Sequence, residues 1–60
     1  MEEVYKQDET LLGKLVRVEA KKFVEIGVWY GYDQTSLWFI IGHDRVSVDK
    51  DDIITIELVD

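Results

Sequence analysis

The sequence contains no cysteine and no proline, and it has only four glycines among 60 residues. Without cysteine the chain forms no disulfide, no thiolate metal site and no thiol nucleophile. It also lacks the apolar run of about 18 residues that a membrane-spanning helix needs. Met1, Glu2 and Glu3 do not open a signal peptide, which begins with basic and then apolar residues. We therefore expect a cytoplasmic protein with no membrane partner.

Basic residues are scarce, since seven Lys and Arg stand against 13 Asp and Glu and give a net charge of −6. A net charge of this sign repels a nucleic-acid backbone, so any RNA binding must depend on a local site. Hydrophobic residues make up 47% of the chain, which is too apolar for a disordered segment. The length permits one domain over residues 1–60, and a domain this small commonly needs a staple, a metal or an oligomeric partner.

The hydrophobic pattern predicts a mainly β protein in which a short helix precedes five strands. Val, Ile, Thr, Phe, Tyr and Trp fill 24 of the 60 positions, a composition typical of strands. Residues 3–11 have approximately helical spacing, and Gly13 is a natural stop. Alternating apolar residues separated by turns predict strands over 14–20, 22–33, 36–42, 45–49 and 53–59.

The second predicted strand is long and contains glycines, which indicate the sharp bend that a small barrel needs. Because its residues alternate, one face carries mostly apolar side chains. We expect that face to supply the core: Val24, Ile26, Val28, Tyr30 and Tyr32. Phe23 and Trp29 then lie on the opposite face, where they could fill a groove between subunits or bind a partner.

Two stretches of the chain resemble the Sm-like proteins, including the bacterial host-factor branch known as Hfq. The first reads LGKLVRVE over 12–19 and continues as GVWYGYDQ over 27–34, and the second reads VDKDDIITI over 48–56. The resemblance covers about residues 11–57 and implies an SH3-like, five-stranded, strongly bent open barrel with a short N-terminal helix. The chain departs from the family where Thr35 replaces a base-stacking aromatic residue and where Asp51 replaces the histidine after Lys50.

The resemblance also implies an RNA site. In the family, the turn that corresponds to Asp33, Gln34 and Thr35 lines a central opening and contacts a base, and Lys50 would meet a phosphate. Single-stranded RNA is recognised by base-edge hydrogen bonds and flat stacking surfaces. The residues by themselves also fit a polar turn and a solvated lysine, so both interpretations remain open.

A five-stranded open sheet has two edge strands, and the fifth strand has no Pro or Lys that would block edge pairing. If the fourth strand accepts the fifth strand of the next copy, the contact is heterologous and closes into a ring where the rotation permits. As in Sm-like proteins, we expect a homo-oligomeric ring of about five to seven subunits. The predicted interface residues are Val46, Val48, Ile53, Ile54, Ile56 and Leu58.

No combination of residues points to catalysis. His43 is the only histidine, and Asp49, Asp51 and Asp52 lack the spacing of a calcium loop. No nucleophile elbow or phosphate-binding glycine loop is present. We therefore expect a non-enzyme without cofactor or metal, most simply a ring that binds short single-stranded RNA. The alternatives are an acidic protein-interaction ring that has lost RNA binding and a small viral-type inhibitor that imitates nucleic acid.

Overall fold

A computed structural model describes residues 9–59 of the chain. These residues form one antiparallel sheet of five strands, which confirms the mainly β class. The strands are β1 (Leu15–Ala20), β2 (Val24–Tyr32), β3 (Ser36–Ile41), β4 (Asp44–Asp49) and β5 (Ile53–Leu58). Their order in the sheet is β4-β3-β2-β1-β5, so β4 and β5 are its two edges. The sheet is not closed into a barrel.

Helical structure within residues 9–59 is limited to two single turns of 3-10 helix, Glu9–Leu11 before β1 and Lys50–Asp52 between β4 and β5. Of the helix expected over residues 3–11, the part before Glu9 lies outside the described residues. Gly13 follows the first turn with a φ of +85°, a conformation that favours glycine over other residues. No helix in this part of the chain is both long and apolar enough to cross a membrane.

The hydrophobic core lies on one face of the sheet and draws side chains from all five strands. The buried hydrophobic residues are Val16, Val18, Ala20, Trp29, Leu37, Phe39, Val48 and Ile53. Trp29 is fully buried, and its indole Nε1 donates a hydrogen bond to the Gly31 carbonyl oxygen at 2.8 Å. The only polar atom of the largest core side chain is therefore satisfied, as burial requires.

The predicted assignment of the two faces of β2 is wrong for the residues before the register shift at Tyr30. Beyond it, Tyr32 lies opposite the buried Leu37 and so on the core face, but it is 38% exposed. Trp29 is 0% exposed and Phe23 packs against the core, whereas the residues expected in the core are exposed or half-buried: Val24, Ile26, Val28, Tyr30 and Tyr32. The register explains the reversal, because Val16 lies opposite Gly27 and Trp29 lies opposite Phe39. Opposed residues share a face of the sheet, so the odd-numbered positions through Trp29 face the core.

Gly27 permits a close approach between β2 and β3. A Cβ atom at this position would overlap the carbonyl oxygen of Ile40 and would lie 2.8 Å from Cγ1 of Ile41. Two residues further on, the β2–β3 register shifts between Trp29 and Gly31, which leaves Tyr30 without an opposed residue. Such an irregularity bends a strand and increases its twist.

We expect Gly27→Ala to lower the free energy of unfolding by roughly 1–3 kcal/mol, because the added methyl group meets backbone that has to move. Gly42→Asn is the control. Gly42 has a φ of +64° and open space around it, and asparagine tolerates this conformation. Urea unfolding followed by tryptophan fluorescence measures both variants, and a Gly27→Ala variant as stable as the parent would contradict the close approach.

Candidate functional site

Two turns meet at one end of the sheet. One joins β2 to β3 at residues 33–35, and the other is the 3-10 turn Lys50–Asp52. Lys50 N donates a hydrogen bond to the Thr35 carbonyl oxygen at 2.9 Å, which extends the β3–β4 pairing beyond Ser36 and Asp49. The structure therefore brings the four residues predicted to form the site into one region: Asp33, Gln34, Thr35 and Lys50.

An open depression of about 360 Å³ lies between the two turns and is lined by Gln34, Thr35, Asp49, Lys50 and Asp51. Its side chains include an amide, a hydroxyl, an ammonium group and two carboxylates. These groups can both donate and accept hydrogen bonds. The volume lies within the range of small ligand sites, so the depression can receive a group such as a nucleotide base.

Asp33 organises the turn and does not line the depression. Its Oδ1 accepts hydrogen bonds from Thr35 N and Ser36 N, both at 2.8 Å, and from Thr35 Oγ1 at 3.2 Å. These bonds lower the pKa of Asp33, and the bond from Thr35 N contributes most. Because this oxygen already accepts three hydrogen bonds, the main role of Asp33 is to fix the conformation of the turn and the position of Thr35.

Gln34 is the residue of the turn whose side chain is available to a ligand. It is exposed, and its amide makes no hydrogen bond to any residue that the structure describes. An amide presents two N–H donors and one carbonyl acceptor. It can therefore contact both donor and acceptor groups on the edge of a base.

Tyr32 contacts both Lys50 and Glu9. Lys50 Nζ lies 5.8 Å from the centroid of the Tyr32 ring, within the range of a cation–π contact. The Tyr32 hydroxyl donates a 2.7 Å hydrogen bond to Glu9 Oε2, and this bond raises the pKa of Tyr32. Neither residue belongs to the site predicted from the sequence. Tyr32 directly precedes the predicted turn, but Glu9 carries no local signal.

Carboxylates outnumber ammonium groups in the lining of the depression. Asp49 and Asp51 flank Lys50 along the chain, and Asp51 is the position where the host-factor branch has a histidine. This balance weakens the attraction for phosphate and favours a ligand that donates hydrogen bonds. Among residues 9–59, no cluster of three or more His, Cys, Asp or Glu side chains is suited to a metal ion.

The predicted interface residues lie on the two edge strands. Among the six, the exposed side chains are Ile54 and Leu58. The other four are buried in the core or packed against it: Val46, Val48, Ile53 and Ile56. Only the exposed pair can offer a large side-chain surface to a second copy, while the rest can contribute backbone groups along the edges.

Comparison with protein-family models, with curated proteins and with solved structures finds no match for this chain.

We expect the pKa of Asp33 to lie below its ordinary value of 3.8. A carboxyl group whose pKa is lowered by folding stabilises the protein above its unfolded pKa, and this stabilisation is lost as the pH falls through the folded pKa. The carboxyl-carbon NMR shift of Asp33, followed over a pH titration, gives the midpoint of this protonation. Thr35→Ala removes one hydroxyl donor but keeps both backbone donors, so most of the shift should remain. A midpoint at or above 3.8 would show that the turn is not hydrogen-bonded as described.

Proposed function

We propose that the chain assembles through its edge strands into a cytoplasmic, Sm-like homo-oligomeric ring. This ring binds a short single-stranded RNA without catalysis and acts in RNA metabolism or regulation. The observation that carries the proposal is the hydrogen bond from Lys50 N to the Thr35 carbonyl. It joins the two segments that the Sm-like resemblance assigns to RNA, the turn with Gln34 and the turn with Lys50.

The sheet order supports the assembly. β4 and β5 each have a neighbour on one side only, and unpaired edges of this kind are templates for pairing with another chain. A 60-residue chain with no disulfide also gains from burying surface against a partner. Pairing of unlike edges repeats from copy to copy and yields a closed ring where the rotation permits.

The lining of the depression indicates which base fits. Carboxylates only accept hydrogen bonds at neutral pH, so Asp49 and Asp51 favour a base with an exocyclic amino group. Adenine has such a group, whereas uracil presents two carbonyl groups. Gln34 can complete the contacts on the base edge, and Lys50 can meet a carbonyl or phosphate oxygen. We therefore propose that the ring prefers A-rich to U-rich single strands.

Native mass is the first test. Light scattering after size exclusion should give a mass of about five to seven protomers, each of 7.0 kDa, and this mass should not change over a tenfold dilution. Pairing of β-strand backbones depends little on ionic strength, so two salt concentrations should give the same result. A monomer would remove the central opening and contradict the proposal.

Fluorescence anisotropy with labelled oligo-A and oligo-U tests RNA binding. We expect saturable binding that is tighter for oligo-A. Gln34→Ala should weaken it roughly twofold to tenfold through the loss of hydrogen bonds, and Lys50→Ala should weaken it about twofold to fivefold. Lys22→Ala is the matched control, because it removes the same charge from an exposed residue that does not line the depression. Equal losses of RNA affinity in Lys22→Ala and Lys50→Ala would indicate that binding depends on the overall charge of the chain and not on the depression.

A second candidate is an acidic protein-interaction ring that does not bind RNA. The outer face of β1 and β2 favours it, since this face exposes Leu15, Val24 and Ile26 on a chain with a net charge of −6. An assembled ring with no anisotropy change on either oligonucleotide would support this candidate. A monomer that binds basic proteins with a steep salt dependence would instead support the inhibitor that imitates nucleic acid.

A further inference from the structure

The outer face of the sheet, opposite the core, carries an apolar patch across β1, β2 and β3. Its rows follow the strand register, since Leu15 lies opposite Val28 and Val28 lies opposite Ile40. The patch consists of seven residues that neither belong to the core nor pack against it: Leu15, Val24, Ile26, Val28, Tyr30, Trp38 and Ile40. Four of them are between 40% and 52% exposed: Leu15, Val24, Ile26 and Tyr30. A contiguous apolar patch across three strands is typical of an interaction surface.

Charged side chains border the patch on the same face, and their sign differs between its two sides. Toward β5, Arg17 Nη1 lies 3.9 Å from Glu19 Oε1 and 3.8 Å from Glu57 Oε1, so two carboxylates share one cation. Toward β4, the charged residue beside the patch is Arg45, whose guanidinium has no ion pair or hydrogen bond with residues 9–59. Asp49 lies at the far end of β4, where it lines the depression. The patch therefore has surplus negative charge on one side and an unpaired positive charge on the other.

β2 lies midway between the two kinds of charge. The sheet order places β1 and β5 on one side of β2 and β3 and β4 on the other, so Glu57 and Arg45 are each two strands from it. If two outer faces meet about a two-fold axis parallel to β2, β5 of each copy lies over β4 of the other. The acidic side of each patch then meets Arg45 of the other copy. The patch thus contains its own complement, as an isologous contact between identical surfaces requires.

We infer that the partner of the apolar patch is a second copy of this chain, bound face to face about a two-fold axis along β2. Two sheets packed in this way lie about 10 Å apart and remove the side chains between them from water. The contact has an apolar centre and a charged rim, the common anatomy of a protein interface. It uses the face of the sheet and not its edges, so it goes beyond the proposed ring. Two monomers would form a dimer, and two rings would be linked.

The size of the patch sets the strength of this contact. Seven apolar and four charged residues on each copy are fewer than the roughly 20–30 residues that a standard interface uses on each side. We therefore expect a weak association, with a dissociation constant of roughly 100 μM. At the lower concentrations that suffice to measure the mass of a ring, the contact between faces stays open.

Sedimentation velocity over a concentration series that brackets this dissociation constant tests the inference. The mass of the parent chain should rise toward at least twice its dilute value. Ile26→Asp places a charge at the centre of the patch and should hold the mass at the dilute value throughout. Gln34→Glu is the matched control, because it adds the same charge at the end of the sheet and should leave the rise unchanged. Equal effects of the two substitutions would show general repulsion and contradict a contact at the patch.

Reversal of the rim charges tests the orientation of the two copies and does not depend on the stability of Ile26→Asp. Arg45→Glu and Glu57→Arg should each weaken the concentration-dependent step about twofold to fivefold, because each places like charges across the contact. The double variant exchanges the signs and should recover most of the parent affinity. Far-ultraviolet circular dichroism verifies that each variant is folded. A further loss in the double variant would overturn the arrangement about β2.

The outcomes separate this inference from the proposed function. A ring whose mass stays constant over the whole series would overturn the contact between faces and leave the patch to a partner other than this chain, but the ring would stand. A monomer that doubles its mass would support the contact between faces and overturn the proposed function. The dilute mass in the same series distinguishes assembly through the edges from association through the faces.

Discussion

The close packing of β2 on β3 at Gly27 is the constraint on which the rest of the structure depends. No side chain fits between this position and the Ile40 carbonyl. The strand therefore approaches its neighbour there, and Trp29, two residues later, enters the core next to Phe39. Once Trp29 faces inward, the apolar residues that alternate with it, Val24, Ile26 and Val28, face outward. The close approach at Gly27 and the buried Trp29 thus lie on the same face of β2, and the opposite face remains an apolar outer surface.

The same sheet positions the candidate site. Pairing of β3 with β4 continues past the strand ends to the backbone hydrogen bond between Lys50 N and the Thr35 carbonyl oxygen. This bond holds the two turns next to each other. Asp33 uses its carboxylate to hold the first turn, which leaves the Gln34 amide available. Two carboxylates beside one ammonium group make the depression better suited to a hydrogen-bond donor than to a phosphate. The acidic composition of the chain thus extends to the lining of the depression.

Both edge strands of the sheet lie next to the candidate site. The turn that contains Lys50 joins β4 directly to β5, so a neighbour that pairs along either edge lies next to the depression.

The sequence by itself determined the mainly β class and the number of strands, because alternation and turn residues act over short distances along the chain. Through the resemblance to Sm-like proteins it also predicted a site at the turn over residues 33–35 and at Lys50, and the structure brings these segments into one region. It did not determine which face of β2 is inside, since alternation separates two sets of residues without assigning either to the core. The contact of Tyr32 with Glu9 was likewise decided only by tertiary structure. Strand register and long-range packing bring such residues together, and neither is encoded in a local pattern.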